Sequence, residues 1–252
     1  MINQIIGSHI IELEQATSTN AYTDNLLLSE KPAEGTVIIA YQQTHGRGLD
    51  QNTWESEAKK NLTFSIVLYP LFLHPSKQFR LIEVTSLGIT DFIKTLLSSD
   101  NNIKIKWPND IYVGDKKLCG TLVQNSILGS KLAECIIGIG LNINQQQFVS
   151  NAPNPISLKQ ITGKNYDLQQ CLANLCAAID FRYNQLKNKE YSKLEADYLS
   201  LLYRYFEWHD FNIQDNIIHA RIIGISNYGQ LRLESSTGKI HECGMKEVVY
   251  CL

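Results

Sequence analysis

Apolar residues in this chain fall into short β-branched runs and longer stretches of helical period, separated by polar, glycine-bearing segments. Val37–Tyr41, preceded by Glu34-Gly35, and Leu62–Tyr69, stopped by Pro70, both predict buried strands. The polar segment between them, Gln42–Lys60, is long for a connection inside a compact domain and predicts a functional loop. From Ser76 to Leu97 the apolar positions Phe79, Ile82, Leu87, Phe92, Ile93 and Leu96 recur with helical spacing. Ile103–Trp107, Ile111–Val113, Gly120–Gln124 and Ala133–Ile143 then predict strands. A loop with Pro153 and Pro155 precedes two predicted helices, Leu168–Asn188 and Ser192–Tyr203. Consecutive strands without strict alternation predict an α/β (α+β) fold on a mixed or largely antiparallel sheet.

The pattern changes near Trp208. Ile217–Ile225, Gln230–Glu234, Lys239–Cys243 and Val248–Cys251 are short strand-like runs divided by Asn227-Tyr228-Gly229 and by Ser235–Gly238. This predicts a small β-barrel at 206–252, too small for a large core of its own and docked on a main domain at 1–205.

Composition narrows the function by exclusion. Hydrophobic residues make up 44% and charged residues 19%, so the chain is globular. Twenty-three basic and 25 acidic residues are well mixed, giving a net charge of −2, with no basic tail to recruit DNA or an anionic membrane. Six scattered cysteines form no Cys-x-x-Cys pair and read as reduced, mostly buried thiols of an intracellular protein. No stretch has the length of a membrane span, and no signal peptide opens the chain, so a cytoplasmic location is expected.

Local motifs must therefore choose the substrate. Gly46-Arg47-Gly48 opens the long polar loop; it can bring backbone amides and a guanidinium to an anion, or simply be a turn with a solvated arginine. Lys106-Trp107-Pro108-Asn109-Asp110 is followed by Lys117-Leu118-Cys119-Gly120. If the two lie on a hairpin, Asn109, Asp110 and Lys117 gather at one end, a set suited to phosphate chemistry or to a surface salt bridge. Gly138 and Gly140, alternating in an apolar strand, mark close approach of a ligand or of another chain segment. The hydroxyls of Thr17-Ser18-Thr19-Asn20 are placed to cap a helix, and such an end also presents amides to a ligand.

Together these segments resemble the biotin–protein ligase family, in the family's order and across most of the chain. The resemblance implies a catalytic domain like class II aminoacyl-tRNA synthetases with an SH3-like C-terminal domain. It implies that Ser18, Thr19 and Gln43 hydrogen-bond the biotin ureido ring, and that Gly46 belongs to the biotin loop. Trp54, Leu122 and Leu141 would line the apolar part of biotin, with Gly138 and Gly140 leaving room. Arg47 and Lys117 would face the carboxylate and α-phosphate, Asn109 and Asp110 would flank the reacting centre, and Asn142 would join the adenylate site. ATP and Mg²⁺ are the implied cofactors, with the metal-holding residue unknown. The implied partners are biotin and a biotin carboxyl carrier domain of a carboxylase, and a homodimer is allowed. Because the motifs begin within the first twenty residues, no DNA-binding domain is expected ahead of them. The rivals are a lipoate or octanoate ligase and a non-catalytic biotin-binding module.

Two positions depart from the family pattern. After Gly48 stand Leu49-Asp50-Gln51-Asn52 where further arginine and glycine are usual, and His45 replaces a small residue. The first change removes positive charge and adds an acid over the adenylate phosphate, which predicts a less tightly held adenylate.

Overall fold

The computed structural model describes residues 4–48, 52–150 and 152–251. Leu49, Asp50 and Gln51, on which most of the loop departure falls, lie outside the described residues. The mixed sheet has seven strands: β1 (Ile10–Leu13), β2 (Val37–Ala40), β3 (Leu62–Leu68), β4 (Ile103–Lys106), β5 (Asp110–Val113), β6 (Lys116–Leu128) and β7 (Lys131–Leu141). Their spatial order is β1-β2-β3-β7-β6-β5-β4. Among the described residues, β1 and β2 run parallel and the other neighbouring strands of this sheet pair antiparallel.

Strand periodicity divides this sheet chemically. In β3 and β7, Leu62, Phe64, Ile66, Ile137, Ile139 and Leu141 point into the main core, which also takes in α2 (Phe79–Leu96) and α4 (Leu168–Lys187). The alternate residues Thr63, Ser65, Gly138 and Gly140 face the other way, where α1 (Thr19–Ser29) packs over β3 and β7. The site forms on that second face.

The predicted helix at Ser76–Leu97 begins with a 3-10 turn, Pro75–Lys77, before α2. β6 extends well beyond the predicted Gly120–Gln124, because its outer end pairs with β7 as an exposed hairpin whose side chains carry no apolar alternation. Two strands escaped prediction, β1 and β8 (Trp208–Ile213), as did the five-residue α3 (Leu158–Thr162). β1 and β8 are short and only partly buried, so backbone pairing and not an apolar run defines them.

After α5 (Tyr191–Leu201) a second, antiparallel sheet forms from β8, β9 (Asn216–Ile225), β10 (Leu231–Ser235), β11 (Ile240–Cys243) and β12 (Val248–Tyr250), in the order β11-β10-β9-β8-β12. It adheres to the first at defined points. Trp107 Nε1 donates to Gly229 O at 3.1 Å, and Phe211, Ile222, Leu231 and Tyr250 belong to the same continuous buried cluster as the main core. Gly229 holds φ of +86° against the Phe79 ring, a turn and a contact that only glycine fits. The six cysteines are unpaired, five of them buried. Among the described residues no helix is long and apolar enough to cross a membrane.

Candidate functional site

The floor of the site is the Gly138/Gly140 face of β7. A Cβ on Gly138 would stand 2.8 Å from Asn20 Cγ, and one on Gly140 2.5 Å from Trp54 Nε1. The room these glycines clear is thus taken by two side chains of the protein, Asn20 and Trp54, and any service to a ligand passes through them. Gly120 on β6 acts in the same way, its absent Cβ lying 3.1 Å from both Lys117 Cε and Trp54 Cζ3. At Gly46 a Cβ would meet Trp54 O at 2.5 Å, so this glycine lets the two flanks of the loop close, with Trp54 N–H donating to Gly46 O at 2.9 Å.

One end of the site is a buried polar network at the start of α1. Ser18 holds the N-cap position, yet its side chain makes no capping hydrogen bond; it lines the cavity instead. Gln43 Oε1 accepts from Thr19 N–H at 2.7 Å, which leaves the Gln43 amide nitrogen as the group it can offer a ligand. Ser65 Oγ lies 2.7 Å from Asn20 Oδ1 and 2.8 Å from Thr19 Oγ1. Serine has one hydroxyl proton and the Asn20 oxygen can only accept, so that proton goes to Asn20 and the Thr19 proton closes the other contact. Thr19 Oγ1 then keeps a lone pair to accept from a ligand N–H. Asn20 Nδ2 in turn donates to Gln124 Oε1 at 2.8 Å.

The other end is cationic. The β4–β5 turn and a bulge at Leu118 bring Lys117 Nζ to 2.7 Å from Asp110 Oδ2, with the ammonium 5.7 Å from the Trp54 ring centroid. Asn109 Nδ2 donates to Thr121 O at 2.8 Å, fixing the asparagine beside the pair. Lys106 lies behind them, 3.3 Å from the Tyr112 hydroxyl and 4.9 Å from the Tyr250 ring centroid. Its burial pushes its pKa down, against the opposing pull of Asp110. Burial, helped by Asp110, raises Tyr112 to about 12.

Most of these groups line two cavities that share a wall; Ser65, Gln124 and Lys106 stand behind the linings. The first, about 240 Å³, holds Ser18, Thr19, Gln43, Arg47, Trp54, Leu122, Gly138 and Gly140 with Asn109, Asp110 and Lys117. The second, about 420 Å³, has Asn142, Phe148 and Pro155 on its far side and shares Asn52, Thr53, Trp54, Asp110 and Lys117 with the first. Residues 154–156 run beside Lys117, whose N–H donates to Asn154 O at 2.8 Å. Asn142 Nδ2 donates to Ile156 O at 3.0 Å, while its buried Oδ1 takes no hydrogen bond from the protein.

Leu141 is corrected by this geometry. It is fully buried in the core on the opposite face from Gly140, because neighbouring strand residues point to opposite sides, so it lines neither cavity. His45 also lies off the cavity linings, its N–H donating to Thr17 O at 2.9 Å. Ser65, Gln124, Thr121 and Phe148 went unnoticed in the sequence. Thr63-x-Ser65 inside a wholly buried strand was a usable signal, since buried hydroxyls demand partners.

Comparison with known proteins agrees with this arrangement. Residues 12–142, 131 of the 252, match the model of the biotin/lipoate A/B protein ligase family. The bifunctional ligase/repressor BirA of Bacillus subtilis is 26% identical over 93% of this chain and 72% of its own length. The human biotin–protein ligase is 26% identical over 77% of this chain but only 24% of its own length. Among solved structures, the biotin protein ligase of Aquifex aeolicus in complex with biotin and ATP superposes with a TM-score of 0.79, at 25% identity over 96% of this chain and 98% of that one. A family model matched over more than half of the chain, on a segment that includes the whole lining of the first cavity, establishes that this chain belongs to the biotin/lipoate A/B protein ligase family.

Proposed function

We propose that this protein is an ATP-dependent biotin–protein ligase, which adenylates biotin and transfers it to a lysine of a biotin carboxyl carrier domain. The observation that carries this reading is the meeting of the two cavities at Lys117 and Asp110, in a fold like one that holds biotin and ATP. The polar end of the first cavity suits a ureido group: Thr19 accepts from its N–H, and Gln43 and Ser18 donate to its carbonyl. Trp54 and Leu122 cover the apolar part. The carboxylate then lies toward Arg47 and Lys117, and the nucleotide fills the second cavity against Asn142.

A carboxylate oxygen of biotin attacks the α-phosphorus as the bond to pyrophosphate breaks. The two reactants are both anionic, and Lys117 and Arg47 supply the positive field that lets them meet. The neutral amine of the acceptor lysine then attacks the acyl carbon, AMP leaves, and an amide forms. Asp110 and Asn109 stand where they can orient that amine.

Among the described residues no cluster of three metal-ligating side chains exists, and the two carboxylates at the cavities, Asp110 and Glu55, already have partners. Mg²⁺ would enter with ATP, held chiefly by phosphate oxygens, with Asp110 as the carboxylate that lines both cavities. We assign 1–205 to a catalytic domain like class II synthetases and 206–252 to an SH3-like domain, with the cytoplasm as the place of action. The separate five-stranded sheet and the unpaired thiols support these assignments.

The deciding experiment is ATP–pyrophosphate exchange by the purified protein with biotin, lipoate or octanoate. Exchange with biotin alone is expected. Exchange with lipoate would favour the rival ligase, and none with any acid would leave a binding module.

A further inference from the structure

Glu55 follows Trp54, and its carboxylate crosses from the Trp54 segment to the segment that walls the second cavity. Its Oε1 accepts from Val149 N–H at 2.9 Å and from Gln145 Nε2 at 3.1 Å; its Oε2 accepts from Ser150 N–H at 2.9 Å. Gln145 is only 1% exposed and braces the junction. Its Oε1 accepts from Glu57 N–H at 2.9 Å and Asn61 Nδ2 at 2.5 Å, and its Nε2 also donates to Gln147 O at 2.8 Å. Two stretches of irregular chain are thereby joined through one carboxylate that no ion pair among the described residues neutralises.

Burial acts to raise the Glu55 pKa, but the hydrogen bonds from Ser150, Val149 and Gln145 outweigh it and hold the carboxyl below its usual range. The clamp is therefore ionised at neutral pH, and charge-assisted bonds to backbone N–H are the stronger kind. Its placement matters because Trp54 is a wall of both cavities, whereas Phe148 and Ser150 belong to the second alone.

We propose that Glu55 is a positioning residue for the nucleotide step, holding residues 145–150 against the Trp54 segment so that the second cavity keeps its shape. This rests on the ligase reading for the identity of the nucleotide. Trp54 is also held by its N–H to Gly46 O and by the space over Gly140, whereas Phe148 and Ser150 wall the second cavity alone, so losing the clamp should weaken ATP use more than biotin use.

The test compares Glu55→Ala and Glu55→Gln with the wild-type protein in two assays. Hydrogen exchange of the 145–150 peptide, without ligands, is expected to be about tenfold faster in Glu55→Ala. The rise should be smaller in Glu55→Gln, which keeps one acceptor oxygen. In biotin-dependent ATP–pyrophosphate exchange, the KM for ATP should rise about tenfold in Glu55→Ala while the KM for biotin stays within about twofold. Unchanged peptide protection, or equal rises in both KM values, would overturn the proposal. A wild type without biotin-dependent exchange would sink the ligase reading and the nucleotide role with it. Peptide protection would then still decide whether the clamp exists.

Discussion

Trp54 and Gly140 compete for one volume: the indole lies where a Cβ on residue 140 would stand, 2.5 Å from Nε1. The indole therefore has its place over the sheet only because residue 140 has no side chain. Gly140→Ala is expected to expel the ring and weaken biotin binding at least about tenfold, in the range of a lost well-packed aromatic contact. Calorimetric titration measures this, and wild-type affinity in the variant would show that the ring can seat elsewhere.

Leu141 and Leu122 make a contrasting pair, one in the core and one at the first cavity. Leu141→Ala should destabilise the protein by about 2–5 kcal/mol without a selective effect on biotin. Leu122→Ala should do the reverse. Urea denaturation beside biotin titration checks both, and a biotin-specific loss in Leu141→Ala would contradict its placement.

The proposed roles assign Lys117 and Asp110 to different half-reactions. Lys117→Ala should reduce biotin-dependent pyrophosphate exchange by about 10²–10³-fold, the scale for removing a charge-stabilising donor. Asp110→Asn keeps hydrogen-bonding capacity and should affect transfer to the acceptor more than exchange. Parallel assays of exchange and of acceptor labelling would expose an error if the two variants behaved alike.

The stretch from Leu49 to Asn52 predicts fast loss of adenylate on charge alone. Asp50→Arg should slow the release of labelled biotinyl-adenylate, followed by rapid gel filtration, and reduce labelling of bystander proteins. A wild-type adenylate that stays bound through many turnovers would refute this.

Glu83 offers a pH test away from the site. Buried on α2 beside Arg80 at 2.8 Å, it is raised to about 7 by burial, against the pull of that arginine. The folded state then binds a proton more tightly than the unfolded chain, whose glutamate keeps the ordinary value of 4.5. Stability from this group is greatest below about pH 4.5 and is lost as pH rises toward 7, at up to about 1.4 kcal/mol per unit. Glu83→Gln should flatten the fall in melting temperature between pH 5 and 8. An unaltered slope would assign the dependence to other groups.

Periodicity alone revealed the buried strands β2, β3 and β7 and the helices α2, α4 and α5, because each buries a face large enough to leave an apolar pattern. The block from Lys106 to Asp110 with Lys117-Leu118-x-Gly120 was equally legible, since a tight hairpin makes sequence neighbours into spatial ones. Tertiary structure decided the rest. Strand register put Leu141 in the core and Gly140 at the site, although they are adjacent in the chain. The tertiary fold set Ser65 under Thr19 and Asn20 across 46 and 45 residues, and closed Glu55 onto Val149 and Ser150 across 94 and 95. Such contacts leave no periodic trace, because they depend on which strands and loops meet in space and not on which residues follow one another.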